Sequence, residues 1–253
     1  MKVVSVYLFL IISMLTLTGC ATPLPIPSFE TKKGDRIGYI VEIGEGALHT
    51  HVGTTIFNNF NKKYPLKWEL DSAVSEIMKN ELNKSGFVAV DLGIEGISSE
   101  ELSSLIIDSE EKWKYASGKE KIITNLVEDR DLKAVVIVKE NRVLVALECA
   151  GGPCSERYAD SSGLYTRSFF GLSQYFAVPA FNLNVYLLDP PADIASGETL
   201  REMLSIPSVP LKDYSSPDNF DQLTEEELLP VKEAILEFSR KMASEITTGL
   251  KPK

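Results

Sequence analysis

Apolar and polar residues alternate along some stretches of the chain and recur every third or fourth residue along others. From residue 36, Ile37, Tyr39, Val41 and Ile43 alternate with their neighbours, which predicts a strand with one core face. Residues 134–138 are wholly apolar, which is typical of a strand buried on both faces. We expect residues 142–148 to return beside that strand as the second half of a hairpin.

Helical spacing marks two longer stretches. Residues 68–85 carry Leu70, Val74, Met78 and Leu82 on one face, which predicts an amphipathic helix followed by a strand at 87–92. Near the end of the chain, Thr224 and Glu227 have the spacing of a capping box, which marks a helix start. Pro230 does not suit a helix interior, so we expect the main helix to begin at that proline.

The remaining segments complete a mixed pattern of strands and helices. Residues 94–131 are charged and are predicted to form two helical pieces, and residues 164–189 predict two or three strands. We therefore predict an α+β fold with a mixed β-sheet of five to six strands and helices mainly on one face.

The first twenty residues have the organisation of a secretory signal peptide. Met1-Lys2 is a basic start, residues 3–17 are mostly apolar, and small residues follow. A transmembrane helix needs about 20 apolar residues, so this stretch is short for a membrane span, although a retained anchor helix stays open as the alternative.

The junction Leu17-Thr18-Gly19-Cys20 resembles the lipobox of bacterial lipoproteins. The resemblance implies cleavage before Cys20, acylation of Cys20 and attachment to the lipid bilayer, with the protein on the outer membrane facing the periplasm. The chain would then divide into a signal peptide over 1–19, a lipidated cysteine with a flexible tether over 20–35, and one α+β domain over 36–253.

Residues 70–92, 134–138 and 163–168 together resemble uncharacterised bacterial cell-envelope lipoproteins. The arrangement is also similar to the α/β domain of lipoproteins that assemble envelope machines, such as curli-secretion and penicillin-binding-protein activator lipoproteins. This resemblance implies a non-enzymatic binding or assembly factor with an envelope protein partner, and it transfers no functional residues.

Charge and cysteine content narrow the function further. The formal net charge is −10, and removal of residues 1–19, which hold one lysine and no acid, makes it −11. With this net negative charge, binding to nucleic acid or to anionic lipid headgroups is not expected, because both need clustered Lys and Arg. With Cys20 assigned to lipid, Cys149 and Cys154 remain as an even pair in an oxidising compartment, and we expect them to form a disulfide.

Motifs for catalysis, cofactors and metals are absent from the sequence. We therefore predict no catalytic residues, no cofactor and no metal site. His49 and His51 would share a strand face as metal ligands could, but we expect them to be exposed or loosely packed. The alternative function is a cell-wall hydrolase, which a pocket of close carboxylates with perturbed pKa values would favour.

Aromatic residues are concentrated between Tyr158 and Phe181, where the chain has seven of them. Adjacent residues on a strand point to opposite faces, so Phe169-Phe170 and Tyr175-Phe176 should each send one ring away from the core unless both sheet faces are covered. With Gly171-Leu172-Ser173-Gln174 as the expected hairpin tip, we hypothesise that Phe170 and Tyr175 bind a partner. The alternative is that all these rings belong to the core.

Overall fold

The structure, a computed structural model, describes residues 24–251 except residues 46, 110, 150–152, 216 and 218. It confirms the α+β class. The strands are β1 (Arg36–Glu42), β2 (Leu48–Val52), β3 (Phe60–Lys63), β4 (Val88–Asp91), β5 (Ile106–Ser109), β6 (Lys112–Tyr115), β7 (Leu132–Glu140), β8 (Val143–Glu148), β9 (Ser155–Ala159), β10 (Gly163–Phe169), β11 (Leu172–Val178), β12 (Phe181–Leu188), β13 (Pro191–Asp193) and β14 (Val209–Pro210). The α-helices are α1 (Leu70–Lys84), α2 (Ser99–Leu102), α3 (Glu120–Thr124), α4 (Glu198–Ser205) and α5 (Glu225–Leu250).

The first sheet has the strand order β13-β12-β7-β1-β4. Its central strand β7 runs parallel to β1 and antiparallel to β12, and β4 pairs parallel to β1 at the edge. Residues 134–138 are buried throughout, which confirms a strand covered on both faces. β1 is also buried on both faces over residues 37–40, because it lies between two strands and two packed layers. The alternating pattern in the sequence had predicted only one buried face.

A second five-stranded sheet has the order β14-β11-β10-β2-β3, where the sequence predicted one sheet in total. β1 continues into β2 through residues 43–47, and β11 continues into β12 through residues 179–180, so both sheets meet at one end. β10 approaches β2 so closely that a Cβ atom at Gly163 would lie 1.9 Å from the carbonyl oxygen of Leu48. Glycine at this position therefore allows the parallel pairing of the two strands.

Helices α1 and α5 lie side by side and close the main core against both sheets. The capping box of Thr224 and Glu227 is present at the start of α5, as predicted. The expected break at Pro230 is wrong, because α5 continues through it as one helix. Proline has no amide hydrogen, so the carbonyl one turn before Pro230 lacks its helical hydrogen bond. Pro230 is exposed and close to the helix start, so that carbonyl stays accessible to water.

The opposite face of the first sheet is covered by α2, the π-helical turn Asn125–Asp129 and the hairpin β5–β6. The two helical pieces predicted over 94–131 are present, but this hairpin lies between them. The predicted hairpin of residues 142–148 with the preceding strand is wrong. β8 pairs instead with β9, because β7 has β1 and β12 as neighbours on its two sides.

The tether predicted over residues 20–35 is packed against the body where the structure describes it. The Pro25 carbonyl accepts a hydrogen bond from Trp113 Nε1 at 3.2 Å, and Phe29 packs against the main core. Thr31 is buried, and its hydroxyl donates to the Leu250 carbonyl at 2.5 Å. This segment crosses the end of the first sheet that is remote from the second sheet, since it leads directly into the start of β1.

Candidate interaction surface

The hairpin of β10 and β11 ends at the point of the second sheet most remote from the first. Phe169 pairs with Leu172, which leaves Phe170-Gly171 as a two-residue turn, two residues before the tip that the sequence predicted. Phe170 has φ 46° and Gly171 has φ 82°. Two consecutive positive φ values are typical of the type I′ turn, which prefers Asn, Asp or Gly at the place that Phe170 occupies.

A second loop, residues 53–59, lies beside this tip because β2 runs parallel to β10. The hydroxyl of Thr54 accepts a hydrogen bond from the Phe170 amide at 3.1 Å. Arg167 Nη1 donates a hydrogen bond to the Gly53 carbonyl at 2.8 Å. Two hydrogen bonds therefore join the 53–59 loop to the β10–β11 hairpin. The loop contains a short 3-10 turn at Ile56–Asn58.

The two loops together expose five large apolar side chains, which we call the apolar platform. They are Ile56 at 78%, Phe57 at 91%, Phe169 at 53%, Phe170 at 79% and Leu172 at 76% exposure. Neither residues 53–60 nor residues 168–174 contain an ionisable side chain, although a quarter of the chain is charged. An uncharged apolar cluster of this kind is typical of an interaction site.

A part-buried cluster of Glu148, Arg157 and Arg167 lies beside the platform and holds the 53–59 loop in place. Glu148 of β8 accepts hydrogen bonds from Arg157 Nη2 at 2.8 Å and from Arg167 Nε. Burial alone raises the carboxyl pKa, but the hydrogen bonds from Arg167 and Arg157 outweigh it, so the pKa of Glu148 is lowered. Arg167 therefore links the β8–β9 hairpin to β10 and to the 53–59 loop.

Of the two residues predicted to bind a partner, the structure separates Phe170 from Tyr175. Phe170 is at the exposed tip, with its ring 4.6 Å from that of Phe169. Tyr175 is half-buried against the main core, and its ring lies 5.0 Å from that of Tyr214. Phe176 packs on the opposite face near Tyr165, so both faces of the second sheet are covered there and neither ring of this adjacent pair faces a partner.

Sequence reasoning missed Ile56, Phe57 and Leu172 as members of the platform. An available signal was the Ile-Phe pair inside a segment whose other residues are Thr and Asn, because exposed apolar residues in a polar loop have no folding role. Strand periodicity could not indicate them, since Ile56 and Phe57 lie in a turn and Leu172 is the first residue of β11.

The two cysteines other than Cys20 form a disulfide at the end of the β8–β9 hairpin. Their sulfur atoms are 1.98 Å apart and the Cα atoms of Cys149 and Cys154 are 4.2 Å apart. The pairing predicted from the sequence is therefore present. Cys20, the predicted lipidation site, lies outside the described residues.

His49 and His51 are buried, contrary to the expectation that they are exposed or loosely packed. Tyr64 donates its hydroxyl proton to the Phe220 carbonyl at 2.8 Å, so its oxygen accepts from His49 Nδ1 at 3.1 Å. His49 Nε2 then accepts from the Thr166 hydroxyl at 2.9 Å, and the Thr166 oxygen accepts from His51 Nδ1.

This network satisfies polar groups inside the second sheet. Burial, then the neighbouring His51 and Lys62, lowers the pKa of His49 to about 3. Burial and Arg167 also lower the pKa of His51. Within the described residues no group of three or more His, Cys, Asp or Glu side chains could hold a metal ion. The arrangement is that of a hydrogen-bonded core element with both rings neutral at pH 7.

A hydrolase would need a carboxylate pair around a pocket. Among the described residues, Asp193 is the carboxyl whose pKa is raised, chiefly by burial. Its oxygens accept hydrogen bonds from Asn184 Nδ2 at 2.9 Å and from the amides of Val185 and Ala195 at 3.0 Å. Asp193 therefore holds the connection between β12 and β13 together, which is a structural role.

The fold and the surface define an α+β protein with two mixed sheets and an apolar platform. No family model, no characterised protein and no solved structure matches this chain. Over the described residues, no helix is both long and apolar enough to span a membrane.

Proposed function

We infer that the protein is a lipid-anchored binding or assembly factor of the bacterial cell envelope that docks a protein partner on its apolar platform. The lipobox-like junction at Cys20 supports the anchor, and the exposed platform is the observation that carries the binding role. Two or more acyl chains give stable attachment to a bilayer, so a protein modified in this way would work at the membrane.

The platform costs the folded protein stability, which favours a functional reason for it. Phe170 has a positive φ that a non-glycine residue adopts at a cost of about 1 kcal/mol or more. Its ring then gains little from folding, because it stays 79% exposed. An exposed aromatic residue in a strained turn is typical of a binding residue, since aromatic anchors contribute strongly when a partner buries them.

A protein partner fits this position better than the anchoring bilayer does. The segment that follows Cys20 reaches the first sheet at the start of β1, whereas the second sheet continues from the end of β1. The platform is at the far end of that second sheet. The bilayer that holds the anchor therefore faces the opposite end of the molecule, and the platform points away from it.

The decisive test places a photo-crosslinking amino acid at Phe57 in the native bacterium and compares Phe170→Asn with Ile94→Asn. Asparagine tolerates the left-handed conformation at 170, so folding should be kept or improved by up to about 1 kcal/mol. Ile94 is the matched control, because it is 86% exposed in a different loop.

We expect one discrete protein adduct that Phe170→Asn removes and Ile94→Asn preserves, with the melting temperature of Phe170→Asn equal to or above that of the unmodified protein. Adducts that form mainly with lipid would contradict a protein partner. Adducts with a second copy of the chain would replace it by self-association. An adduct that survives Phe170→Asn would exclude the platform as the docking site.

A further inference from the structure

The docked N-terminal segment brings one end of the body close to the proposed anchor. Only residues 21–23 separate Cys20 from Leu24, where the described chain begins. The four Cα-to-Cα steps from Cys20 to Leu24 span at most about 14 Å when fully extended. From Pro25 to Thr31 the segment is held on the body by Trp113, the main core and Leu250. The end of the first sheet beneath this segment therefore lies near the bilayer.

A lysine-lined cavity of about 420 Å³ opens at this end. Its lining combines residues 31–33, the end of α1 with the following residues 85–87, and Lys251. Lys32, Lys33, Lys84 and Lys251 line it, and no carboxylate does. Of these four, Lys84 is paired with Glu81 at 3.4 Å. In the described part of the chain, the ammonium groups of the other three have no carboxylate within 4.0 Å, and the nearby Asp35 carboxylate accepts a hydrogen bond from the Lys32 backbone amide at 2.7 Å.

Helix ends explain only part of this cluster. α1 and α5 both end here, and their carbonyl ends attract the cations of Lys84 and Lys251. Lys32 and Lys33 belong to neither helix, because they lie in the irregular segment before β1. Their exposed positions beside two helix ends concentrate positive charge on a protein whose net charge is strongly negative.

The charge of the protein surface nearest the membrane, rather than the net charge of the whole protein, decides its attraction to an anionic leaflet. The Debye length is about 8 Å at physiological ionic strength, so acidic groups on the distant faces are screened. Each lysine held near an anionic leaflet contributes an attraction equivalent to about a fivefold change in occupancy.

We propose that this lysine-lined cavity binds the anionic phosphate headgroups of the leaflet that holds the anchor. The proposal rests on the lipid-anchor part of the proposed function. Headgroup contact on this side fixes the orientation of the body and keeps the platform directed away from the bilayer, where a partner has access to it.

The test couples the processed chain, beginning at Cys20, to a maleimide lipid through the thiol of Cys20. Cys149 and Cys154 are joined in a disulfide, so Cys20 provides the free thiol. Coupled protein on neutral phosphatidylcholine vesicles is compared with protein on vesicles that also contain phosphatidylglycerol. An amine-acylating reagent and mass spectrometry then report the reactivity of each lysine. Chemical coupling makes the result independent of whether the cell acylates Cys20.

We expect the anionic vesicles to slow the modification of the four cavity lysines, Lys32, Lys33, Lys84 and Lys251, about fivefold each. The control lysines, which are exposed elsewhere on the body, should react equally on both vesicle types. They are Lys63, Lys67 and Lys212. Equal reactivity of the cavity lysines on both vesicle types, or the same slowing of the control lysines, would overturn the proposal.

Matched variants extend the test. In the triple variant Lys32→Gln, Lys33→Gln and Lys251→Gln, the remaining cavity lysine, Lys84, should lose its protection by anionic vesicles. The control triple variant, with glutamine at the three control lysines, has the same change in net charge and should keep that protection. Loss of protection in both variants would indicate a general charge effect and would refute the cavity as the site.

Discussion

Acidification should destabilise the protein well above the range in which carboxylates titrate, because His49 is held neutral in the second sheet. Its side chain is fully buried, and its pKa is lowered to about 3 from an ordinary value of 6.5. Between these values the unfolded chain binds a proton at His49 that the native protein does not bind. Stability contributed by neutral His49 is therefore complete above pH 6.5 and is lost as the pH falls toward 3.

The size of the effect follows from the shift. Each unit of pKa difference corresponds to about 1.4 kcal/mol, so a fall from pH 6.5 to 4.5 should lower the free energy of unfolding by roughly 2 to 3 kcal/mol. His51 should add to the loss, because its pKa is lowered as well. Carboxyl groups with lowered pKa values, such as Glu148, lose their contribution only at lower pH.

Urea unfolding at pH 7.0 and pH 4.5 measures the loss, with His49→Gln as the comparison. The glutamine amide can keep contacts with Tyr64 and Thr166 but does not titrate. The variant should be less stable at pH 7.0 and should lose much less stability on acidification. The chain has two histidines, so their ring protons can be assigned by NMR from this single variant. A His49 resonance that titrates near pH 6.5, or an equal loss of stability in both proteins, would refute the reasoning.

Three further predictions concern covalent and buried contacts. Mass spectrometry should find the mature chain beginning at an acylated Cys20, and an unmodified cysteine or a chain that starts at Met1 would contradict the anchor. The double variant Cys149→Ser, Cys154→Ser should unfold about 2 kcal/mol more easily in urea, because the disulfide closes only a short loop; two free thiols in protein purified without reductant would exclude the bond. In urea unfolding, Thr31→Val should lower the free energy of unfolding by about 1 to 2 kcal/mol, because it leaves the Leu250 carbonyl unpaired, while Thr31→Ser should lower it less. Equal stabilities of the two variants would show that this hydrogen bond does not hold the segment.

Part of the candidate site could be predicted from the sequence and part could not. The concentration of aromatic residues between 158 and 181 correctly indicated an unusual hairpin, and Phe170 is exposed at its tip. The role of Tyr175 could not be predicted, because its neighbour Tyr214 comes from a segment almost forty residues later. The loop with Ile56 and Phe57 joins the same surface only because β2 pairs with β10, a contact between strands more than one hundred residues apart.

The sequence by itself determined the class of the fold and most of its elements. Periodicity and capping residues act within a few neighbours, so the helix at 70–84, the buried strand at 134–138 and the capping box at Thr224 followed from local patterns. The tertiary structure alone decided how strands divide between two sheets and which partner β8 takes. It also decided that His49 is buried, because its neighbours Tyr64, Thr166 and Phe220 come from three distant segments whose approach depends on the packing of the whole chain.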